Sequence, residues 1–188
     1  MTIEPLHSLK SVNLSEPVQF SAIEGISHCV KLPSHVAQRQ ASSAKEKLVS
    51  RGLGSVNITI ETYPPDKDPH FAPGSGITLF TKSSAGSIIG ADSIGERGKP
   101  AERVGEEAAM KLLSEIESKA PLDRHMGDIL IPYMAVAEGR SEILVSQVTM
   151  HTLTNIKVAE IITGVEFDVE GEVQKPGRVG VQGIALRT

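Results

Sequence analysis

Two side chains stand out for the chemistry they could do, His151 and Asp128. The run Glu142 to Met150 alternates like a strand, and helical periodicity returns beyond the polar stretch His151-Thr152-Leu153-Thr154-Asn155. His151 therefore falls where a strand ends and a helix begins. A helix start offers unpaired backbone amides and the positive end of the helix dipole, and both favour phosphate. An imidazole there could attack phosphorus or shuttle a proton. From context alone a surface or capping histidine is the plainer reading, because a single histidine carries no motif. Asp128 is a single acid among Met126, Gly127, Ile129 and Leu130. It would either face a ligand or lie on the solvated side of its helix.

The remaining candidates are weaker. Gly95-Glu96-Arg97-Gly98-Lys99-Pro100 precedes a helix, so its amides could meet an anion, but generic turn chemistry explains the loop. Gly74-Ser75-Gly76 precedes a strand, the wrong setting for a nucleotide-binding turn. His28 and His35 are seven apart across Pro33, wider than metal-ligand pairs, and His7 and His70 have no partner in sequence. Cys29 beside His28 is not a nucleophile–base pair, because adjacent strand residues point to opposite faces. It reads as a buried, inert thiol.

The elements that must position these residues are legible from periodicity. Val18, Phe20, Ala22 and Glu24 alternate as a strand run that Gly25 is expected to end, with Ile26 to Val30 a candidate continuation of the extended chain that Pro33 breaks. Ser34 is the expected N-cap of a helix to Ser50, buried through Val36, Ala37, Ala41, Ala44 and Leu48. Val56 to Thr62 is a β-branched strand, and Ile77 to Thr81 with Ser87 to Ala91 forms a hairpin. A loop from Tyr63 to Gly76 separates them. Pro100 to Lys119 is a helix with a stripe of Ala101, Val104, Ala108, Leu112 and Ile116. A second helix begins at Leu122 with Pro132 inside it, where a kink is expected. After His151, Val158, Ile161 and Ile162 are expected to point inward. Val165 to Leu186 reads as a hairpin turning at Lys175-Pro176-Gly177. The order is β-α-β-β-β-α, then α-β-α-β-β, a mixed α/β chain with a boundary near Ala120-Pro121.

Composition narrows the function classes. The 188 residues are 39% apolar and 22% charged, which suits one globular domain or one domain with a modest insert and rules out wholesale disorder. Aromatics are 3%, so the core is aliphatic and a base-stacking module is disfavoured. A net charge of −4 lacks a global nucleic-acid footprint. One cysteine forms no internal disulfide, and no apolar run approaches the ~18 residues of a membrane span. The first residues lack a signal-peptide layout. A cytoplasmic protein without a membrane is expected.

Four strings occur together and in order: Leu32-Pro33-Ser34-His35-Val36-Ala37, Ile94-Gly95-Glu96-Arg97-Gly98-Lys99-Pro100-Ala101-Glu102, His125-Met126-Gly127-Asp128-Ile129-Leu130-Ile131-Pro132, and Met150-His151-Thr152-Leu153-Thr154-Asn155-Ile156. Together they resemble the C-terminal half of RNA 3′-terminal phosphate cyclases across nearly the whole chain. The family's Arg-Gly-x-x-Pro-x-Gly-Gly-Gly stretch would lie before Met1.

The resemblance implies an α/β fold of mixed sheets in two parts. Residues 25–120 are similar to the family's inserted small domain. Residues 1–24 and 121–188 are similar to the last repeat of its large catalytic domain. It also implies an ATP-dependent ligase-type reaction, with a divalent ion, Mg²⁺, accompanying ATP. A histidine takes AMP from ATP and passes it to an RNA 3′-phosphate. The vicinal 2′-hydroxyl then closes a 2′,3′-cyclic phosphate and releases AMP. His151 matches the attacking histidine. His125, Met126, Gly127, Asp128 and Ile129 match the block that lines ATP, with Ile129 where the family usually has Gln. RNA with a 3′-phosphate end is the implied substrate. A lone repeat leaves an apolar face open, so an N-terminal-half partner chain or a homo-oligomer is expected. The alternative is an inactive cyclase-like protein acting in RNA or ribosome assembly.

Overall fold

A computed structural model describes residues 7–187. The chain divides into two compact units, one from the residues up to Val18 together with Ser118 onward, the other from Gln19–Glu117. The first six residues and Thr188 lie outside the described residues. The short strand β1 (Asn13–Leu14) belongs to the first unit, and the chain then enters the second.

The second unit runs β2 (Phe20–Val30), α1 (His35–Ser50), β3 (Val56–Thr62), β4 (Gly74–Ser83), β5 (Ile88–Ile94) and α2 (Ala101–Glu117). Its sheet has the order β3-β2-β4-β5. β2 and β3 are parallel through the α1 crossover, and β4 is antiparallel to β2 and β5. Ile23, Leu48, Val56, Ile77, Leu79, Ile89, Val104, Ala108 and Leu112 form its core, aliphatic throughout.

Two expectations for β2 are corrected. The register shifts between Phe20 and Ile23, and the buried phase moves to Ile23, Gly25, Ser27 and Cys29, leaving Ala22 and Glu24 exposed. Gly25 does not end the strand. A Cβ there would lie 2.7 Å from the Thr78 carbonyl and from Leu79 Cδ2, so the glycine serves close strand packing. Ser34 makes no side-chain capping bond and is itself helical, at φ −56° and ψ −28°.

The first unit continues with α3 (Arg124–Val136), β6 (Arg140–Val145), α4 (Met150–Thr163), β7 (Phe167–Glu170) and β8 (Gly177–Gln182). Its sheet order is β1-β6-β8-β7, with β1 and β6 parallel and the β7–β8 hairpin antiparallel. Leu122, Ile131, Met134, Ile143, Val145, Val148, Ile156, Val179 and Val181 fill the core beside the sheet. The fold is thus mixed α/β in both units.

β6 ends at Val145, and Met150 to Asn155 are already helical. The alternating pattern extends past the strand because Val148 is buried from a loop position. On α4 the inward residues are Thr152, Ile156 and Ala159. Val158, Ile161 and Ile162, expected inward, are exposed at 49%, 72% and 76%. The apolar residues of α4 nearly encircle it, so periodicity could not choose its buried face. None of the described helices is long and apolar enough to cross a membrane.

Candidate active site

The site is built where α3 and α4 begin. Asp123 caps α3, its Oδ1 accepting from the amides of His125 at 3.0 Å and Met126 at 2.8 Å. Gly127 then faces the sheet. A Cβ on it would lie 2.7 Å from Val145 Cγ1, so only glycine lets α3 sit this close to β6. His125, Met126 and Ile129 are exposed, and Asp128 is half-buried.

Thr149 caps α4 in a reciprocal box with Thr152. The Thr152 amide donates to Thr149 Oγ1 and the Thr149 amide to Thr152 Oγ1, each at 3.0 Å. Both hydroxyls then donate to the same carboxylate oxygen, Asp128 Oδ1. The main-chain carbonyl of Asp128 accepts from Asn155 Nδ2 at 3.0 Å. That carbonyl would ordinarily accept from the amide of residue 132, and Pro132 has none. Pro132 thus leaves an acceptor that a side chain of the neighbouring helix takes up.

His151 lies between the two capping threonines. It is the second helical residue, and its ring is exposed. The imidazole has no hydrogen-bond partner among the described residues, and Asp128 spends Oδ1 on the two threonines, making no bond to the histidine. The amides of Met150 and His151 have no partner there either, so two N–H groups stand at the positive end of α4 beside the ring.

Below this turn, α3 and α4 enclose a groove of about 370 Å³ lined by Asp128, Ile129, Pro132, Asn155, Val158 and Ile162 among others. Asp128 and Asn155 are its polar side chains near the turn, Thr163 is one at the C-terminal end of α4, and the Ile129 side chain contributes only hydrocarbon. Of the five residues expected to line ATP, Asp128 and Ile129 border this groove, His125 and Met126 lie on the exposed first turn of α3, and Gly127 is turned to the sheet.

The glycine-bounded loop before α2 is tied to its flanking elements through Lys99. Lys99 pairs with Glu107, which also takes a hydrogen bond from Ser93 and a contact from Arg103. These partners, Lys99 foremost and Arg103 next, hold the Glu107 carboxyl down at about 2. Cys29 is buried, its Sγ facing the Pro33 carbonyl at 3.5 Å.

The RNA 3′-terminal phosphate cyclase insert-domain model matches residues 15–117. The chain belongs to the RNA 3′-terminal phosphate cyclase family. It is 51% identical over 162 residues to the RNA 3′-terminal phosphate cyclase of Desulfurococcus amylolyticus, covering 86% of this chain and 45% of that protein. With the RNA 3′-terminal phosphate cyclase of Ignicoccus hospitalis it shares 46% over 181 residues, 96% of this chain and 51% of the other. With that of Staphylothermus marinus it shares 44% over 188 residues, 99% and 53%. This cyclase-family chain spans about half the length of the curated relatives it matches, the C-terminal part.

Sequence reading singled out His151 and Asp128 but missed how they are joined. Thr149 was not picked out, although Thr149-x-x-Thr152 is a capping-box spacing just before a helix. Helical pattern marks Pro132 as a kink and Asn155 as a polar first-turn residue, and their place in the family strings says nothing of a bond between their helices. No pattern within one helix announces a bond to the next.

Proposed function

We propose that this chain supplies the histidine of an RNA 3′-phosphate cyclase and that His151 is the residue that carries AMP. The observation behind this is the setting of His151: an exposed imidazole with no partner among the described residues, beside two amides likewise without one there, at the start of a capped helix in a chain of this family. In this reading the unit Gln19–Glu117 is the inserted domain. The remainder is the last repeat of the catalytic domain.

An imidazole nitrogen of His151 attacks the α-phosphorus of ATP. The bond from that phosphorus to the bridging oxygen breaks, pyrophosphate leaves, and the ring sheds its other proton to solvent. The ring takes back a proton from solvent, a 3′-phosphate oxygen of RNA attacks the same phosphorus, and the P–N bond breaks, restoring the neutral imidazole. The 3′-phosphate is then part of an anhydride. Attack by the 2′-hydroxyl closes the cyclic phosphate and expels AMP, its proton passing to solvent. The amides of Met150 and His151 fit this chemistry because they are fixed donors where phosphate charge would lie. Among the described residues no group of three or more His, Cys, Asp or Glu is placed to hold a metal. A Mg²⁺ ion accompanying ATP would supply charge neutralisation on the triphosphate.

The partner that fits the open groove is the other half of the cyclase. Val158, Ile161 and Ile162 expose an apolar strip along α4, and the matched relatives are about twice this length.

The test is labelling with α-³²P ATP after the chain is combined with the N-terminal half of a relative. Label should appear on His151 and vanish in His151→Ala with the circular dichroism unchanged. Label elsewhere, or retained in His151→Ala, overturns the assignment. The 188-residue chain alone is expected to give little turnover of 3′-phosphorylated RNA, and robust conversion by it would contradict the need for the other half.

A further inference from the structure

Three side chains from the start of α4 converge on one residue of α3, and His151 lies among them. Thr149 and Thr152 give their hydroxyl protons to Asp128 Oδ1, and Asn155 gives an amide proton to the Asp128 carbonyl. We infer that Thr149, Thr152 and Asn155 are positioning residues for His151, and that Asp128 serves the reaction by clamping this turn rather than by touching the nucleotide or the imidazole. The inference rests on the reading of His151 as the AMP carrier.

The hydrogen-bond ledger of the turn is closed. Each threonine oxygen accepts one amide and lies within bonding distance of Asp128 Oδ1, and the two hydroxyl oxygens are 3.1 Å apart, so each hydroxyl proton stays within this cluster whichever acceptor it takes. Thr152 is fully buried and β-branched, which leaves its χ1 little freedom. The Asn155 bond goes to the carbonyl that Pro132 leaves without its helical donor. The clamp is therefore attached to α3 through both the side chain and the main chain of Asp128. His151, with none of these bonds, is held by its backbone alone. A nucleophile on a fixed turn reaches phosphorus with less loss of motion, and a displacement of about 1 Å costs roughly 10²-fold in rate.

A clamp and a direct ligand make different demands on residue 128. The clamp needs an acceptor oxygen, which Asn also has. A direct electrostatic role needs the charge. In the chain combined with the N-terminal half of a relative, the rate of AMP transfer to the protein is measured against ATP concentration. Thr152→Val and Asp128→Ala should each slow transfer by about 10²-fold with half-saturating ATP changed less than about threefold. Thr152→Ser should regain most of the rate, and Asp128→Asn should run at least about tenfold faster than Asp128→Ala. Asp128→Asn as slow as Asp128→Ala, or Thr152→Val at the wild-type rate, overturns the clamp.

A second readout needs no reaction. Amide hydrogen exchange at Thr149, Thr152 and Leu153, the bonded amides of the turn, should speed up about tenfold or more in Thr152→Val in the 188-residue chain and return toward wild type in Thr152→Ser. Unchanged exchange in Thr152→Val overturns the clamp even if the wild-type complex carries no label. Absence of label in the wild-type complex, with exchange behaving as expected, overturns the reading of His151 instead.

Discussion

Asn155 Nδ2 donates to the main-chain carbonyl of Asp128 at 3.0 Å, so the side chain of α4 supplies what the helical ladder of α3 lacks at Pro132. The two helices are joined at the level of the candidate nucleophile by this bond and by the two threonine hydroxyls.

Removing the donor should leave a half-buried carbonyl unpaired. Asn155→Ala is expected to lower stability by about 1–2 kcal/mol in urea unfolding. In a Pro132→Ala background the restored amide can bond Asp128, and the same Asn155→Ala change should then cost less than half as much. Equal costs in both backgrounds would mean that Pro132 and Asn155 are not coupled.

Close packing inside the Gln19–Glu117 unit gives a sharper contrast. A Cβ at Gly105 on α2 would lie 2.1 Å from the Gln40 carbonyl oxygen and 3.0 Å from the Ala44 amide nitrogen of α1. Backbone atoms cannot step aside as a side-chain tip can. Gly105→Ala should destabilise by about 3 kcal/mol or more, while Gly54→Ala, with nothing within 4 Å, should stay within about 0.5 kcal/mol. Thermal unfolding of the two variants checks the pair.

The Lys99–Glu107 pair predicts a pH dependence. Glu107 is held at about 2 in the fold against an ordinary value of 4.5. The folded state therefore binds its proton more weakly than the unfolded chain does. Its contribution is present above pH 4.5 and is lost as pH falls from there toward 2. Urea unfolding of Glu107→Gln should show a deficit at pH 6 that shrinks across this window. A deficit independent of pH would assign the effect to packing.

On α4, Ile161 and Ile162 are exposed and lie on the strip assigned to the other half of the cyclase. Replacing both with Lys should leave the chain's own stability within about 1 kcal/mol. Association with the N-terminal half, followed by light scattering, should weaken about tenfold or more. Undiminished association would place the contact elsewhere.

Much of the fold was legible because its signals are local. Val56 to Thr62 alternates, is β-branched, and forms β3 with those bounds. The stripe from Ala101 to Leu112 specifies the buried face of α2, since its other face is charged. On β2 the same reasoning picked the wrong phase, because one extra residue between Phe20 and Ile23 swaps inside for outside and leaves no mark in hydropathy.

The sequence by itself determined the element order apart from the short strand β1, the aliphatic cores and the strings that tie the chain to its family. It also singled out His151, through its place before a helix, and Asp128, through its isolation among apolar residues. Only the tertiary structure decided what Asp128 does to the turn that carries His151. The bonds responsible span 21 to 27 residues of chain. One of them goes to the carbonyl that Pro132 leaves without its helical donor. A missing donor on one helix matters only once another helix is near enough to replace it, and that proximity is a property of packing, which no local pattern of residue types contains.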